Sequence, residues 1–149
     1  DCAVLLVNYR GSIGFGQKGI ESLPGKVGTQ DVQDCMTVLQ SVLSKGKFDQ
    51  ARVAVVGGSH GGFLTAHLIA QHPLVFNAAA MRNPVTNIAT MTTATDIPDW
   101  TMVEGCGLGT YDFSKPLPAS AECLSAMWSK SPCANLSKVR TPTLLALGL

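Results

Sequence analysis

Four short apolar runs predict the strands of a parallel β-sheet. The first occupies residues 3–7 and ends at Asn8, and the others occupy residues 53–56, 75–81 and 143–147. Within each run the apolar side chains are nearly continuous instead of alternating with polar ones. Because both faces of a parallel sheet are covered, continuous runs of this kind are typical of its strands.

Residues 30–45 predict an amphipathic helix. Aspartates at positions 31 and 34 lie in its first turns, where the helix dipole favours negative charge, and Lys45-Gly46 supplies a stop signal. Six apolar residues at helical spacing form one stripe: Val32, Cys35, Met36, Leu39, Val42 and Leu43. With the strands on either side, this helix makes a β-α-β unit whose crossover should be right-handed.

Residues 61–71 predict a second helix, which is apolar on nearly every side and therefore buried. It ends at His72, because a residue before proline avoids the helical conformation. Residues 119–129 predict a third helix, and residues 84–118 predict irregular structure with one short helix near 99–103. The order of elements predicts an α/β fold with a mostly parallel sheet and flanking helices.

Composition excludes several classes of function. The chain has 149 residues, with 11 basic and 10 acidic side chains, so it carries no electrostatic footprint for nucleic acid. Charged residues make up only 14% of it, against roughly 25% in ordinary domains, which indicates the interior of something larger. No apolar run approaches the roughly 18 residues of a membrane span, and no secretion signal opens the chain. Both ends fall inside predicted strands, so we expect residues 1–149 to be a partial domain, incomplete at both ends.

The five cysteines stand at positions 2, 35, 106, 123 and 133. Their number is odd and no pair has C-x-x-C spacing, so the sequence predicts neither a disulfide framework nor a zinc site. The expectation is free thiols in a reducing compartment. The sequence Asn135-Leu136-Ser137 fits a glycosylation acceptor, which matters only in a secreted protein.

Residues 14–19, Gly-Phe-Gly-Gln-Lys-Gly, match the G-x-G-x-x-G pattern of dinucleotide-binding loops. Such a loop should leave a strand at once and open the helix that binds the pyrophosphate. Here the strand ends near Asn8, and Leu23-Pro24-Gly25 interrupts the chain before the next helix. We therefore predict a glycine-rich loop over the top of the sheet and no bound cofactor or metal.

Gly57-x-Ser59-x-Gly61 matches the nucleophile elbow of serine hydrolases and has the context that an elbow needs. A strand precedes it, a helix follows it, and paired glycines flank the serine, with Gly58 and Gly62 completing the pairs. We predict that the turn holds Ser59 in a sparsely populated backbone conformation. A side chain at 57 or 61 should collide with the neighbouring strand or helix. The helix directs its positive end at the hydroxyl, where an oxyanion would form. The alternative is a structural glycine turn with an incidental serine.

A serine hydroxyl needs a base, and the three histidines of the chain are poorly placed. His60 adjoins Ser59, so its side chain leaves the elbow in another direction; His67 lies about 12 Å along the helix, and His72 lies farther still. In this kind of site the order is serine, acid, histidine, with the partners on loops after later strands. The acid and the histidine are therefore expected beyond residue 149. The irregular region offers three carboxylates that we interpret as loop or cap residues: Asp96, Asp99 and Asp112.

Four stretches carry a resemblance to a known family. They are NYRGSIGFG (8–16), GTQDVQDC (28–35), GGSHGGF (57–63) and RNPV (82–85). In this order they resemble the peptidase domain of the acylaminoacyl-peptidases, which belong to the prolyl oligopeptidase group of serine peptidases. The resemblance covers essentially the whole chain.

This resemblance implies an α/β-hydrolase fold and a cytoplasmic enzyme that needs no cofactor and releases an N-acylated amino acid from a blocked peptide. Ser59 matches the nucleophile, and the backbone N–H of His60 matches one oxyanion donor. A β-propeller before the domain and assembly into homo-oligomers are also implied. Because the acid and the histidine are expected elsewhere, we expect the isolated chain to be inactive. Two alternatives stay open: an esterase or dipeptidyl peptidase of the same fold, and a catalytically inert fragment.

Overall fold

A computed structural model describes residues 2–110, 112–114 and 120–148. Its helices, in chain order, are α1 (Gln17–Glu21), α2 (Gln30–Leu43), α3 (His60–Gln71), α4 (Ile88–Met91), α5 (Pro98–Trp100) and α6 (Ala121–Ser129). Its strands are β1 (Ala54–Gly58), β2 (Ala78–Arg82) and β3 (Thr143–Ala146). A π-helical turn (Thr101–Gly105) follows α5, and a 3₁₀ helix (Pro132–Lys138) follows α6.

The three strands form one parallel sheet in the order β1-β2-β3. Ala54 of β1 lies opposite Ala78 of β2, and Ala79 of β2 lies opposite Thr143 of β3. The parallel sheet and the strands predicted near 53–56 and 143–147 are confirmed. The middle strand begins at Ala78 instead of residue 75, because residues 73–75 form a turn in which the Val75 N–H donates to the His72 carbonyl.

Helix α3 is the centre of the core, as its apolar sequence predicts. Every residue from Gly62 to Ala70 is buried, because the helix packs against β1 and β2 on one side and against α2 and the 3₁₀ helix on others. Phe63 and Ile69 are almost wholly enclosed, and each such side chain stabilises the fold by about 1.5–3 kcal/mol. This packing fixes the start of α3 relative to the carboxyl end of β1.

His67 lies in this core and joins α3 to two other segments. Its Nε2–H donates to the Lys130 carbonyl at 2.8 Å, and its Nδ1 accepts from the Gln71 side-chain amide at 3.0 Å. The ring packs so closely on Gly28 that a Cβ there would lie 2.7 Å from Nε2. His67 is therefore structural, as the sequence predicts.

Burial lowers the pKa of His67, more than its hydrogen bond to the Lys130 carbonyl raises it. The unfolded chain, with an ordinary histidine pKa near 6.5, therefore binds a proton at higher pH than the folded chain does. We expect the stability gained from neutral His67 to be complete above about pH 6.5 and to fall as the pH drops below that value. The stability difference between the wild type and His67→Gln, measured by thermal unfolding of the full-length protein, should then shrink from pH 7.5 to pH 5.5. A difference that is constant across this range would show that His67 is not buried in its neutral form.

The strand predicted at residues 3–7 is wrong. These residues belong to no strand of the sheet, and the Val4 and Leu6 side chains are 78% and 85% exposed. A strand is stabilised by hydrogen bonds to a neighbour, and none of the described strands pairs with this segment. The structure instead contains a β-α-β unit made of β1, α3 and β2.

The expectation of free thiols is wrong for two of the five cysteines. Cys106, which follows the π-helical turn, forms a disulfide with Cys123 in the first turn of α6, with the two Cα atoms 5.6 Å apart. The sequence spacing of 17 residues gives no indication of this approach, which depends on how the two helical segments pack. Cys2, Cys35 and Cys133 are free, and burial raises the pKa of the Cys35 thiol to about 11.

The irregular region is more helical than predicted, since α4, α5 and the π-helical turn all lie within it. The short helix expected near 99–103 is confirmed by α5 and that turn. The helix predicted at 119–129 is confirmed by α6, with residue 119 outside the described residues. The glycine-rich loop predicted at 14–19 extends only as far as Gly16, because the five-residue helix α1 begins at Gln17. No helix in the described part of the chain is both long and apolar enough to cross a membrane.

Candidate active site

Ser59 lies at a sharp turn between β1 and α3. Its φ is 54° and its ψ is −118°, a conformation that costs a non-glycine residue of the order of 1–3 kcal/mol. The turn is held on both sides of the residue. The Ser59 N–H donates to the Arg82 carbonyl at 3.0 Å, and the Ser59 carbonyl accepts from the Phe63 N–H at 3.0 Å. The predicted strained conformation is confirmed.

The flanking glycines are needed for different reasons. A Cβ on Gly57 would overlap the Gly61 carbonyl, and a Cβ on Gly62 would lie 2.7 Å from Pro84 Cβ. A Cβ on Gly58 would make only an ordinary contact with Arg82, at 3.5 Å. The collision predicted for a side chain at Gly61 is wrong, because the space around that position is open. The close packing falls on the first and last glycines of the motif.

Ser59 is exposed, and its hydroxyl forms no hydrogen bond with the helix that follows it. Ser59 occupies the N-cap position of α3, yet its side chain makes no capping hydrogen bond. As the first residue of the helix, His60 has a backbone N–H with no carbonyl four residues upstream within the helix to accept it. A hydroxyl and a free N–H thus adjoin each other at the positive end of a buried helix dipole.

The His60 side chain turns away from the hydroxyl into a ring of aromatic side chains. Its ring stacks on Tyr9, with centroids 5.8 Å apart, and lies 5.2 Å from the Phe63 ring and 5.8 Å from the Trp100 ring. Its Nε2 lies 3.5 Å from the Oδ2 atom of Asp31. The predicted direction of the side chain, away from the elbow, is confirmed.

Two further ionisable groups belong to this environment. Burial, assisted by the Asp31 carboxylate, raises the pKa of Glu104. Burial and the same carboxylate also raise the pKa of the Tyr9 hydroxyl. The surroundings of His60 therefore combine low solvent access with two acidic side chains, Asp31 and Glu104.

A pocket of about 410 Å³ opens beside Ser59. One of its lining residues is Asn83, which follows β2 and has a φ of 41°. The Asn83 N–H donates to the Ala146 carbonyl, and its Oδ1 accepts from the Gly148 N–H at 2.6 Å. The rest of the pocket comes from residues around α4, both apolar and polar: Pro84, Val85, Thr86, Asn87, Thr90, Met91 and Ala94.

The remaining candidates are structural. His72 lies at the opposite end of α3 from Ser59, as the predicted helix implies. Asp96 accepts a hydrogen bond from Thr95, Asp112 accepts from Ser114, and Asp99 lies in the first turn of α5. They are loop or cap residues, as interpreted from the sequence. In the described part of the chain, no group of three histidine, cysteine or acidic side chains is arranged to hold a metal ion.

The structure adds two residues that sequence reasoning missed at this site. Asp31 was assigned only to the dipole of α2, yet it is fully buried against His60. The available signal was its place four residues before Cys35, at the edge of the apolar stripe. Asn83 could have been found from the Asn-Pro pair that directly follows a strand, a common turn signal.

Comparisons with known proteins agree with this geometry. The sequence pattern of the prolyl oligopeptidase family matches residues 1–149. The chain is 51% identical over 144 residues to the acylamino-acid-releasing enzyme of Arabidopsis thaliana and 52% identical over 146 residues to that of Sus scrofa. These alignments cover 97% and 98% of this chain but only 18% and 19% of the two relatives. The chain thus spans about a fifth of the length of the curated relatives that it matches.

Solved structures show the same fold. A puromycin-hydrolysing peptidase of Mycobacterium tuberculosis superimposes with a TM-score of 0.75 at 28% identity, over 93% of this chain and 20% of that one. An acylaminoacyl peptidase of Pyrococcus horikoshii superimposes with a TM-score of 0.78 at 22% identity, over 94% of this chain and 21% of that one. Parallel strands, flanking helices and a serine at the strand-to-helix turn are the α/β-hydrolase arrangement that the sequence predicts.

Proposed function

This chain belongs to the prolyl oligopeptidase family, and from that premise we propose that it carries the nucleophile of a serine peptidase that releases N-acylated amino acids from blocked peptides. The observation that supports this most directly is Ser59 itself. Its hydroxyl is exposed, free of capping bonds, held at a positive φ and placed beside a pocket. An incidental serine in a glycine turn would not need a conformation of this cost.

In the proposed reaction, Ser59 Oγ attacks the carbonyl carbon of the peptide bond that follows the acylated residue. A base takes the hydroxyl proton, and the backbone N–H of His60 donates to the oxyanion of the tetrahedral intermediate. The C–N bond then breaks, the amine leaves with the proton, and an ester on Ser59 remains. Water hydrolyses this ester and regenerates the hydroxyl.

The base comes from outside this chain in our proposal. Among the three histidines, His67 is hydrogen-bonded in the core and His72 lies at the far end of α3. The His60 ring is engaged by Asp31 and the surrounding aromatic rings. The isolated chain should therefore be inactive, and only the full-length protein should turn over substrate.

The substrate class rests on the relatives. Identity of 50–52% to acylamino-acid-releasing enzymes of plants and mammals supports a blocked, acylated N-terminus as the group recognised. The pocket beside Ser59, with Val85 and Met91 among its lining residues, can take the side chain of the acylated residue. The similarity to a puromycin-hydrolysing peptidase, at 28% identity, keeps a second candidate open, a peptidase of the same fold that acts on a substrate with a free amino group.

Substrate profiling of the full-length protein should distinguish these candidates. We expect an acetylated peptide to be cleaved after its first residue. Its kcat/KM should be at least about 100-fold above that for the same peptide with a free amino group, because a site that hydrogen-bonds one polar group of its substrate rejects analogues without it by at least this factor. A simple ester of the same acylated residue is the control for general esterase activity. Preference for the free-amine peptide would favour the second candidate, and hydrolysis of the ester with neither peptide cleaved would favour an esterase.

We also propose a cytoplasmic location. It is supported by the free thiols of Cys2, Cys35 and Cys133, which suit a reducing compartment, and opposed by the bond between Cys106 and Cys123. A homo-oligomer is proposed from the family resemblance alone.

A further inference from the structure

A half-buried cluster of aromatic rings around one fully buried carboxylate lies directly behind the nucleophile turn. We call it the His60 cluster, defined as His60, the rings of Tyr9, Phe63 and Trp100, and the carboxylate of Asp31. Its members come from four separate segments: the loop before α1, the start of α2, the start of α3 and α5. Glu104 of the π-helical turn adjoins it. No single segment could hold the His60 ring in this way.

The two oxygens of the Asp31 carboxylate have different surroundings. The side chain is fully buried, and its Oδ1 accepts from the Val32 N–H at 2.9 Å. Its Oδ2 makes no hydrogen bond and lies 3.5 Å from His60 Nε2, which itself has no hydrogen-bond partner. One oxygen thus serves helix α2, and the other is directed at the histidine.

A buried carboxylate in this position lowers the stability of the fold. Removing a charge from water costs several kcal/mol, and replacing buried charged pairs by apolar residues is often neutral or stabilising. The neighbouring stripe of α2 is apolar, with Val32 and Met36 buried, so an apolar residue at position 31 would satisfy the core. Helix stability alone therefore does not account for Asp31.

The link to the reaction runs through the backbone. His60 follows Ser59 directly, and its N–H is the oxyanion donor in the proposed function. The direction of that N–H depends on the peptide between the two residues, which is anchored on the far side by the His60 ring. Because misplacement of a catalytic group by about 1 Å can cost roughly 100-fold in rate, the orientation of this ring matters to catalysis.

We propose that Asp31 is a positioning residue, which holds the His60 ring and through it keeps the N–H that follows Ser59 aimed at the oxyanion. This inference rests on the proposed function, since it concerns the same site. It assigns the role to a residue that touches neither substrate nor nucleophile. The aromatic rings confine His60 laterally, and the carboxylate fixes its rotation.

The test is Asp31→Asn in the full-length protein, a substitution that keeps the side-chain shape and removes the charge. We expect kcat to fall at least about tenfold with little change in KM, since the lost interaction acts in the transition state. The thermal unfolding temperature should stay level or rise, because a buried charge is removed. Asp49→Asn is the matched control. Asp49 lies in the loop before β1 and pairs with the exposed Arg52 side chain, with no contact to the His60 cluster, so its loss should leave kcat unchanged.

A double-mutant cycle tests whether Asp31 acts through His60. His60→Phe keeps the backbone N–H and the aromatic packing but removes the contact with the carboxylate. On that background, Asp31→Asn should cause no further loss of kcat, because coupled residues are not additive. Asp31→Ser, which removes the carboxylate and adds no bulk, is measured alongside in case the amide does not fit.

Reaction with a fluorophosphonate probe tests the positioning role of Asp31 separately from the proposed substrate class. A wild type that reacts with the probe but does not cleave acetylated peptides would count against the substrate class only, and the effect of Asp31→Asn would then be read from the probe rate. Equal rates for wild type and Asp31→Asn would overturn the positioning role. So would an equal loss on the His60→Phe background, or a loss of kcat matched by a loss of thermal stability in both the asparagine and the serine variants.

Discussion

Replacing Ser59 with alanine in the full-length protein is expected to lower kcat by at least about 10⁴-fold, because removing the nucleophile of a serine hydrolase leaves only binding and oxyanion stabilisation. The fold should not change. Alanine keeps a Cβ at the same positive φ, and the lost hydroxyl makes no capping bond with α3. Hydrolysis of an acetylated peptide measures the loss of turnover, and labelling by a fluorophosphonate measures the loss of the reactive hydroxyl.

Two controls sharpen this experiment. Ser125→Ala, at an exposed position of α6, should retain wild-type rates. Ser59→Gly should be as inactive as the alanine variant but more stable by about 1–2 kcal/mol, since glycine adopts a positive φ without strain. Wild-type activity in Ser59→Ala would refute the proposed nucleophile, and the site would have to be sought elsewhere in the protein.

Replacing Gly57 with alanine should have the largest effect on stability of any single methyl group added to the turn. The new Cβ would overlap the carbonyl of Gly61, which belongs to the backbone of α3 and cannot move without the helix. Overpacking of this kind costs about 3 kcal/mol or more. We expect a thermal unfolding temperature several degrees lower, and a loss of activity as the Ser59 turn is displaced.

Gly61→Ala is the matched control, with the opposite expectation. The position is open, and alanine is more favourable than glycine in a helix by up to about 1 kcal/mol. This variant should therefore be at least as stable as the wild type. Destabilisation of equal size in both variants would mean that the two chain segments do not approach each other as described.

The contrast between Gly57 and Gly61 also shows which features of the site could be predicted from the sequence. The motif predicted Ser59, its strained turn and the strand and helix on either side, because each depends on neighbours within a few residues. It did not distinguish Gly57 from Gly61. Which glycine meets backbone and which meets open space depends on the angle at which α3 leaves β1.

The elements of the fold divide in the same way. Helix α3 was predictable because its residues are apolar on all sides, whatever it packs against. Residues 3–7 have an equally apolar sequence but form no strand with β1, since pairing needs a partner that sequence pattern does not supply. The disulfide between Cys106 and Cys123 is likewise a matter of approach between two helical turns.

From the sequence alone, strands β1 to β3, helices α2, α3 and α6, the nucleophile turn and the family resemblance follow, because hydrophobic periodicity, glycine flexibility and short motifs act over short distances along the chain. The tertiary structure decided what meets at that turn: the burial of Asp31 against His60, the rings that enclose it, and the pocket that Asn83 lines. These contacts join segments 24 to 51 positions apart, from Ser59 to Asn83 and from Tyr9 to His60. Only packing, by which the core excludes water and fixes each segment against the next, brings them together.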